Sequence, residues 1–234
     1  MRMSEFYSVR VLVALALACG FTLEPSFARE PDAASTPLTG RAQVVDGDTL
    51  EINGVRIRLE GIDAPETAQS CGRRWLGQWS CGRSAVTALE ELTLGKQVDC
   101  TPQGLDKYGR TLAICHVQGR DINAEMVRRG MAWAFVKFSN RYVKEEAEAR
   151  AVKAGIWQGP ATPAWYWRQQ QWTAAEPAAP QGCAIKGNAG RSGLVYHMPW
   201  SPWYGKLHMT GTGKRWFCSE GEAIAAGYRS AGYR

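Results

Sequence analysis

The chain has 234 residues, 45% of them hydrophobic and 21% charged, with a formal net charge of +6 and a pI near 9.0. This composition excludes a disordered or collagen-like chain and leaves room for one large core or two small ones. The mild positive excess is compatible with a polyanionic partner and does not by itself select one. From the N-terminus, Arg2 and Arg10 flank a short n-region, Val11 to Ala18 is a compact apolar run, and Ser26-Phe27-Ala28 places small residues where a signal peptidase reads, so residues 1–28 read as a signal peptide. The run is too short for a stable membrane span. Ala16-Leu17-Ala18-Cys19 offers a lipoprotein alternative anchored through Cys19, weakened by the lack of Leu three residues before the cysteine. Either route removes or consumes Cys19 and leaves six cysteines, an even number in an exported chain, so disulfides and a periplasmic or secreted location are expected.

Residues 29–40 are rich in Pro, Ala and small polar residues and read as a flexible leader. Then Leu50 and Ile52, followed by Val55, Ile57 and Leu59, alternate with polar neighbours about Asn53-Gly54, a strong hairpin signal that sets Thr49 opposite Arg58. A polar connection bracketed by Cys71 and Cys81 leads to a helix marked by Ala85, Val86, Leu89 and Leu92 and stopped by Gly95. Two short strands, 97–101 and 111–117, carry Cys100 and Cys115 equidistant from the Lys107-Tyr108 centre of their loop, the placement of cross-strand partners. Such a bridge would contribute about 3 kcal/mol. Asp121 caps a second predicted helix ending at Gly130, and a third runs from about Tyr142 to Ala154, its Glu146 and Arg150 forming a solvated face. Residues 169–182 have linker composition. Beyond them, residues 183–234 form a small C-terminal domain with a Ser219-x-x-Glu222 capping box, a stop at Gly227 and a core marginal enough to need a Cys183–Cys218 bridge. The expected pairing is Cys71–Cys81, Cys100–Cys115 and Cys183–Cys218, none of them joining the two domains. Strands with interspersed helices make the fold class α+β.

Three carboxylates, Asp48, Asp63 and Glu66, and two arginines, Arg56 and Arg58, gather about the predicted hairpin, a pattern that suggests a metal-assisted phosphate site. Carboxylates gathered by a hairpin repel one another unless a hard cation sits among their oxygens, and planar guanidinium forks match phosphate. Against this stand plainer readings: D-G-D as turn chemistry, Glu66 as a surface loop residue, Arg56 as electrostatic background. In the tail, Cys183, His197, His208 and Cys218 could form a Cys₂His₂ zinc site but lack a Cys-x-x-Cys element, and His116 reads as sheet surface. Trp200, Trp203 and Trp216 read as core packing before they read as a glycan platform.

The D-G-D-T turn (46–49), the R-L-E-G-I-D-A-P-E-T run (58–67), the D-K-Y-G-R segment (106–110) and the closing G-I-W (155–157) resemble, in this order, the staphylococcal nuclease family over about residues 42–157. The resemblance implies a five-stranded OB-fold β-barrel with three helices over residues 41–168. It also implies a Ca²⁺ cofactor, with Mg²⁺ the second choice, held by Asp48, Asp63 and the Ala64 carbonyl. Glu66 would activate the attacking water, Arg58 and Arg110 clamp the phosphate, and Lys107 and Tyr108 contact the terminal phosphate. Where the family carries a second binding tyrosine this chain has Val136, with Phe135 and Phe138 nearby. The implied activity is a secreted, monomeric phosphodiesterase that cuts DNA or RNA at single-stranded or flexible regions and leaves 3′-phosphates. The tail resembles a small module appended to bacterial secreted proteins. Two alternatives are a non-catalytic OB-fold that holds nucleic acid, and an envelope protein whose tail makes the cell-envelope contact.

Overall fold

Leu38 alternates with polar neighbours and packs on the main core, so the strand β1 (Leu38–Arg41) already belongs to the fold in the computed structural model, which describes residues 37–191 and 193–231. The signal-peptide reading, Cys19 and the leader up to residue 36 lie outside the described residues. The last residues expected as leader are therefore a strand, because their backbone pairs with the strand that carries Cys100, Leu38 lying opposite Cys100.

β2 (Gln43–Asp46), β3 (Thr49–Ile52) and β4 (Val55–Leu59) form a meander, with a bulge between Val44 and Asp46. Asn53 and Gly54, at φ of 52° and 80°, make the turn that gives the expected Thr49–Arg58 register. β5 (Ile62–Asp63) then leaves the sheet, and β6 (Cys71–Gly72) and β7 (Gln78–Trp79) form a short ribbon before α1 (Cys81–Thr93). β8 (Gln97–Leu105) is longer than the expected 97–101 because a bulge between Pro102 and Gly104 absorbs the proline without ending the pairing. β9 (Thr111–Val117) runs back antiparallel to β8 and parallel to β4, and β10 (Arg120–Asp121) continues it. The sheet order is β1-β8-β9-β4-β3-β2 with β10 beside β9, seven strands rather than five. It curls: the Asn53 amide at the tip of the β3–β4 hairpin donates to the Thr39 carbonyl of β1, at the other side of the order.

Asp121 caps α2 (Ile122–Arg128), accepting from the Ala124 N–H, and β11 (Trp133–Ala134) pairs with β5 so that Trp133 faces Asp63. α3 (Val143–Ala151) follows. Its Glu146 is more than a solvated face: besides Arg150 it accepts the Ala134 N–H at 2.7 Å and ties the helix to β11. A fourth helix, α4 (Ala164–Ala175), covers the first half of the stretch expected as linker. Its aromatic residues explain the difference: Trp165 stacks on Phe135 at 5.5 Å and meets Trp133 edge-on, while Trp172 packs against the tail's core. Leu50, Ile57, Leu59, Ile62, Leu89 and Met126 centre the main core.

In the tail, β12 (Ile185–Gly190), β13 (Gly193–His197), β14 (Lys214–Phe217) and β15 (Arg229–Ser230) form a four-stranded sheet ordered β14-β12-β13-β15, with α5 (Glu220–Ala225) capped by Ser219. Its core is Ile185, Tyr196, Phe217 and Ala223. The three tryptophans stay partly exposed, Trp203 at 41%, because the single layer is already filled by Phe217 and Tyr228 in edge contact. Disulfides join Cys71 to Cys81, Cys100 to Cys115 and Cys183 to Cys218; the last removes the zinc alternative for the tail. No helix among the described residues is long and apolar enough to cross a membrane.

Candidate active site

The hairpin register carries Arg58 toward the loop ends that hold two buried carboxylates. Its two terminal nitrogens divide between them: Nη1 donates to Asp48 Oδ1 at 2.9 Å and Nη2 to Asp63 Oδ1 at 2.8 Å. Asp48 also accepts the Thr49 hydroxyl and the Ala64 N–H, each at 3.1 Å. Desolvation pushes the Asp48 carboxyl up, but the Arg58 charge and the Ala64 N–H outweigh it and hold the group below the usual carboxylate range. Asp46 accepts the Asp48 N–H, and desolvation together with the Asp48 charge pushes it up to about 6.

Glu66 is positioned by its loop. Gln69, fully buried, accepts the Glu66 N–H through its side chain, returns its own N–H to the Glu66 carbonyl, and donates to the Thr162 carbonyl ahead of α4. The Cys71–Cys81 bridge fastens the same loop to the start of α1. A Cβ at Gly82 would fall 1.7 Å from the Glu66 carbonyl oxygen, so only glycine lets the first turn of α1 lie this close. Desolvation pushes the Glu66 carboxyl up to about 7, with the nearby Arg168 charge pulling the other way.

Arg168 is the residue that sequence reasoning missed. From α4, its Nη1 donates to Glu66 Oε1 at 2.7 Å and to Asp63 Oδ1 at 3.1 Å, and its Nη2 to Asp63 Oδ2 at 2.7 Å. Desolvation opposes its charge, yet the two carboxylates raise its pKa further. The aromatic run W-Y-W-R at 165–168 was the available signal, since it marks a packed helix rather than a linker, but nothing local pairs position 168 with 63 and 66.

Arg110 sits on the β8–β9 turn, where Asp106 accepts the Tyr108 and Arg110 N–H groups and the Arg110 Nε at 2.6 Å. Its charge lies within reach of Arg58 and of Glu220 in the tail. Lys107 and Tyr108 are held at the same turn, the Lys107 ammonium 4.7 Å from the Tyr108 ring. Val136 and Phe138 are exposed, and Phe135 is occupied by Trp165. The tail borders the site: one cleft is lined by Asp46, Glu66 and Thr67 on one side and by Tyr196, Met198 and Trp200 on the other. Arg56, whose Nη2 donates to the Ser230 carbonyl at 3.1 Å, pins that border.

Comparison with known proteins matches most of the sequence that builds this site. The family described as Staphylococcal nuclease homologue matches residues 56–159. An uncharacterized endonuclease of Haemophilus influenzae is 31% identical over 171 residues, covering 69% of this chain and 87% of its own, and a micrococcal nuclease of Shigella flexneri is 34% identical over 145 residues, covering 54% and 78%. The succinoglycan biosynthesis protein ExoI of Rhizobium meliloti is 31% identical over 155 residues, covering 65% and 81%. The chain belongs to the staphylococcal nuclease family, whose domain is an OB-fold. Arg168 and the tail lie beyond the residues that the family model matches.

Proposed function

We propose that the protein is a secreted, calcium-dependent endonuclease that hydrolyses phosphodiester bonds of DNA or RNA, prefers single-stranded or flexible regions, and leaves 3′-phosphates. The observation that carries this reading is the convergence of Asp48 and Asp63 on Arg58 and of Asp63 and Glu66 on Arg168, with Arg110 on the neighbouring turn, in a chain related to named nucleases. The donor set suits a hard cation in kind: carboxylates of Asp48 and Asp63 with the Ala64 carbonyl, and Asp46 beside them with a carboxyl that desolvation keeps hard to ionise. Among the described residues no three acidic, histidine or cysteine side chains form a closed cage, so water and substrate oxygens would complete the coordination. A divalent cation bound there would polarise a phosphoryl oxygen and offset charge built up in the transition state.

The remaining roles fall to the chain's own groups. Glu66, held by Gln69, takes the proton of the attacking water or orients it in line with phosphorus. Arg58 and Arg110 pair with the equatorial oxygens as charge accumulates. Lys107 and Tyr108 hold the flanking phosphate, and the hydroxyl absent at Val136 leaves base contact to stacking by neighbouring aromatics. The wall formed by the tail narrows access beside Glu66, which favours a flexible strand over a duplex. Three disulfides support export to the periplasm or exterior.

The decisive experiment incubates the purified mature chain with single-stranded DNA and RNA, with calcium and with chelator. Cleavage in calcium that stops in chelator is expected; undiminished cleavage in excess chelator removes the metal role of Asp48 and Asp63. One observation favours the non-catalytic reading, that the carboxylates are already occupied by two guanidiniums. Binding without cleavage in every divalent metal would establish it.

A further inference from the structure

Asp63 is fully buried and both its oxygens are taken: Oδ1 accepts from Arg58 and Arg168, and Oδ2 from Arg168. Glu66 Oε1 accepts from the same Arg168. A guanidinium thus spans Asp63, a proposed metal ligand, and Glu66, the proposed base; with Arg58 it leaves a divalent ion at most one of the about four acceptor positions of Asp63, a few ångströms from a like charge. The fork is held from outside the hairpin. α4 is fixed to the body by Trp165 on Phe135 and to the tail by Trp172, four residues past the arginine, so the helix is anchored on both sides of Arg168 and a release of the carboxylates falls to its long side chain.

We propose that Arg168 is an internal cation that a divalent metal must displace from Asp63 and Glu66, so that metal affinity is set by how often this arginine lets go. The inference rests on the reading of the site as a cation site. Its logic is that of a binding-competent state populated only in part: the apparent dissociation constant equals the intrinsic one divided by the fraction in which the arginine is released. Arg168 thereby tunes the metal concentration at which the site is filled, and it keeps the clustered carboxylates compensated when metal is scarce.

The test is calcium titration by calorimetry on the full mature chain, comparing wild type with Arg168→Gln, Arg168→Lys and, as a charge control on the adjacent strand, Arg56→Gln. Arg168→Gln is expected to bind calcium about 5- to 150-fold more tightly, the usual size of coupling between two competing interactions. Arg168→Lys should fall between it and wild type, because an ammonium keeps the charge but cannot span both carboxylates. Equal affinity for wild type and Arg168→Gln overturns the proposal while leaving the cation site standing. Tightening of the same size in Arg56→Gln, with Arg168→Lys unchanged, also overturns it, as mere long-range charge. No calcium heat in any variant removes the cation site and the proposal together. Should Arg168→Gln fail to fold, the wild-type chain with ¹⁵N-arginine decides: the Arg168 Nε resonance, assigned as the one lost in Arg168→Lys, should move on calcium addition while that of Arg150 stays. An unmoved Arg168 resonance at saturating calcium overturns the proposal.

Discussion

The nuclease body and the C-terminal tail are built on opposite terms. In the body, large fully buried residues from the curled sheet and its helices, among them Leu50, Ile57, Leu59, Ile62, Leu89 and Met126, pack together, and the charged groups of the site stand on that support. In the tail, a small cluster of Ile185, Tyr196, Phe217 and Ala223 under one sheet centres the core, and a disulfide between Cys183 and Cys218 closes it. The difference teaches where precision resides. Two guanidiniums can be held against buried carboxylates only where packing fixes every partner, whereas a wall beside the site needs only to be present.

The largest effect expected separates chemistry from support within the body. Glu66→Gln keeps the shape and removes the proton acceptor, so single-turnover cleavage should fall about 10²- to 10⁴-fold while affinity for single-stranded DNA, measured at fixed salt, changes little. Arg58→Lys should also slow cleavage, since an ammonium cannot hold Asp48, Asp63 and a phosphate as a fork does. Cleavage by Glu66→Gln at the wild-type rate would sink the assigned mechanism.

Next comes the tail. Replacing Cys183 and Cys218 by serine removes a bridge spanning 35 residues, a loss of about 4 kcal/mol on chain-entropy grounds. If the body and tail are separate folding units, amide hydrogen exchange should then show β12 to β15 opening while α1 and β9 stay protected. Equal loss of protection in both regions would break the comparison.

A third prediction uses pH. Glu66 has its carboxyl pushed up to about 7 in the folded chain, above its ordinary value, so the native state binds more protons than the unfolded one between about pH 4.5 and 7. The sign follows: the contribution is fully present below pH 4.5 and is lost as pH rises through 7, on the order of 3 kcal/mol without metal. Asp46, pushed up to about 6, adds in the same direction. Thermal unfolding of the metal-free chain should therefore show a falling trend from pH 5 to pH 8 that Glu66→Gln flattens in part; an unchanged slope in the variant would contradict the shift.

The smallest effect concerns Glu146, whose sequence context suggests a solvent-facing pair. Since it accepts the Ala134 N–H behind the strand that backs Asp63, Glu146→Ala should cost about 1–3 kcal/mol in denaturant unfolding. A cost within error of zero would restore the surface reading.

What the sequence determined by itself is what short-range physics dictates. Asn53-Gly54 sets the turn and hence the Thr49–Arg58 register, Asp106 closes the turn under Arg110, Asp121 and Ser219 cap their helices, and the cysteines bond within 10, 15 and 35 residues of one another. Each follows from dihedral preference, capping or short loop closure. Some local readings were cut short by packing: the linker composition after position 168 yields to a helix because Trp172 has a core to fill, and Leu38 extends the sheet because β8 offers it an edge. Only the tertiary structure decided that Arg168 spans Asp63 and Glu66, 105 and 102 residues away, that Arg56 reaches the Ser230 carbonyl 174 residues on, and that the tail borders Glu66. No periodicity or turn signal encodes such contacts. They arise when separately formed elements dock, and the docking is chosen by the summed burial of many side chains rather than by any residue's neighbours in the chain.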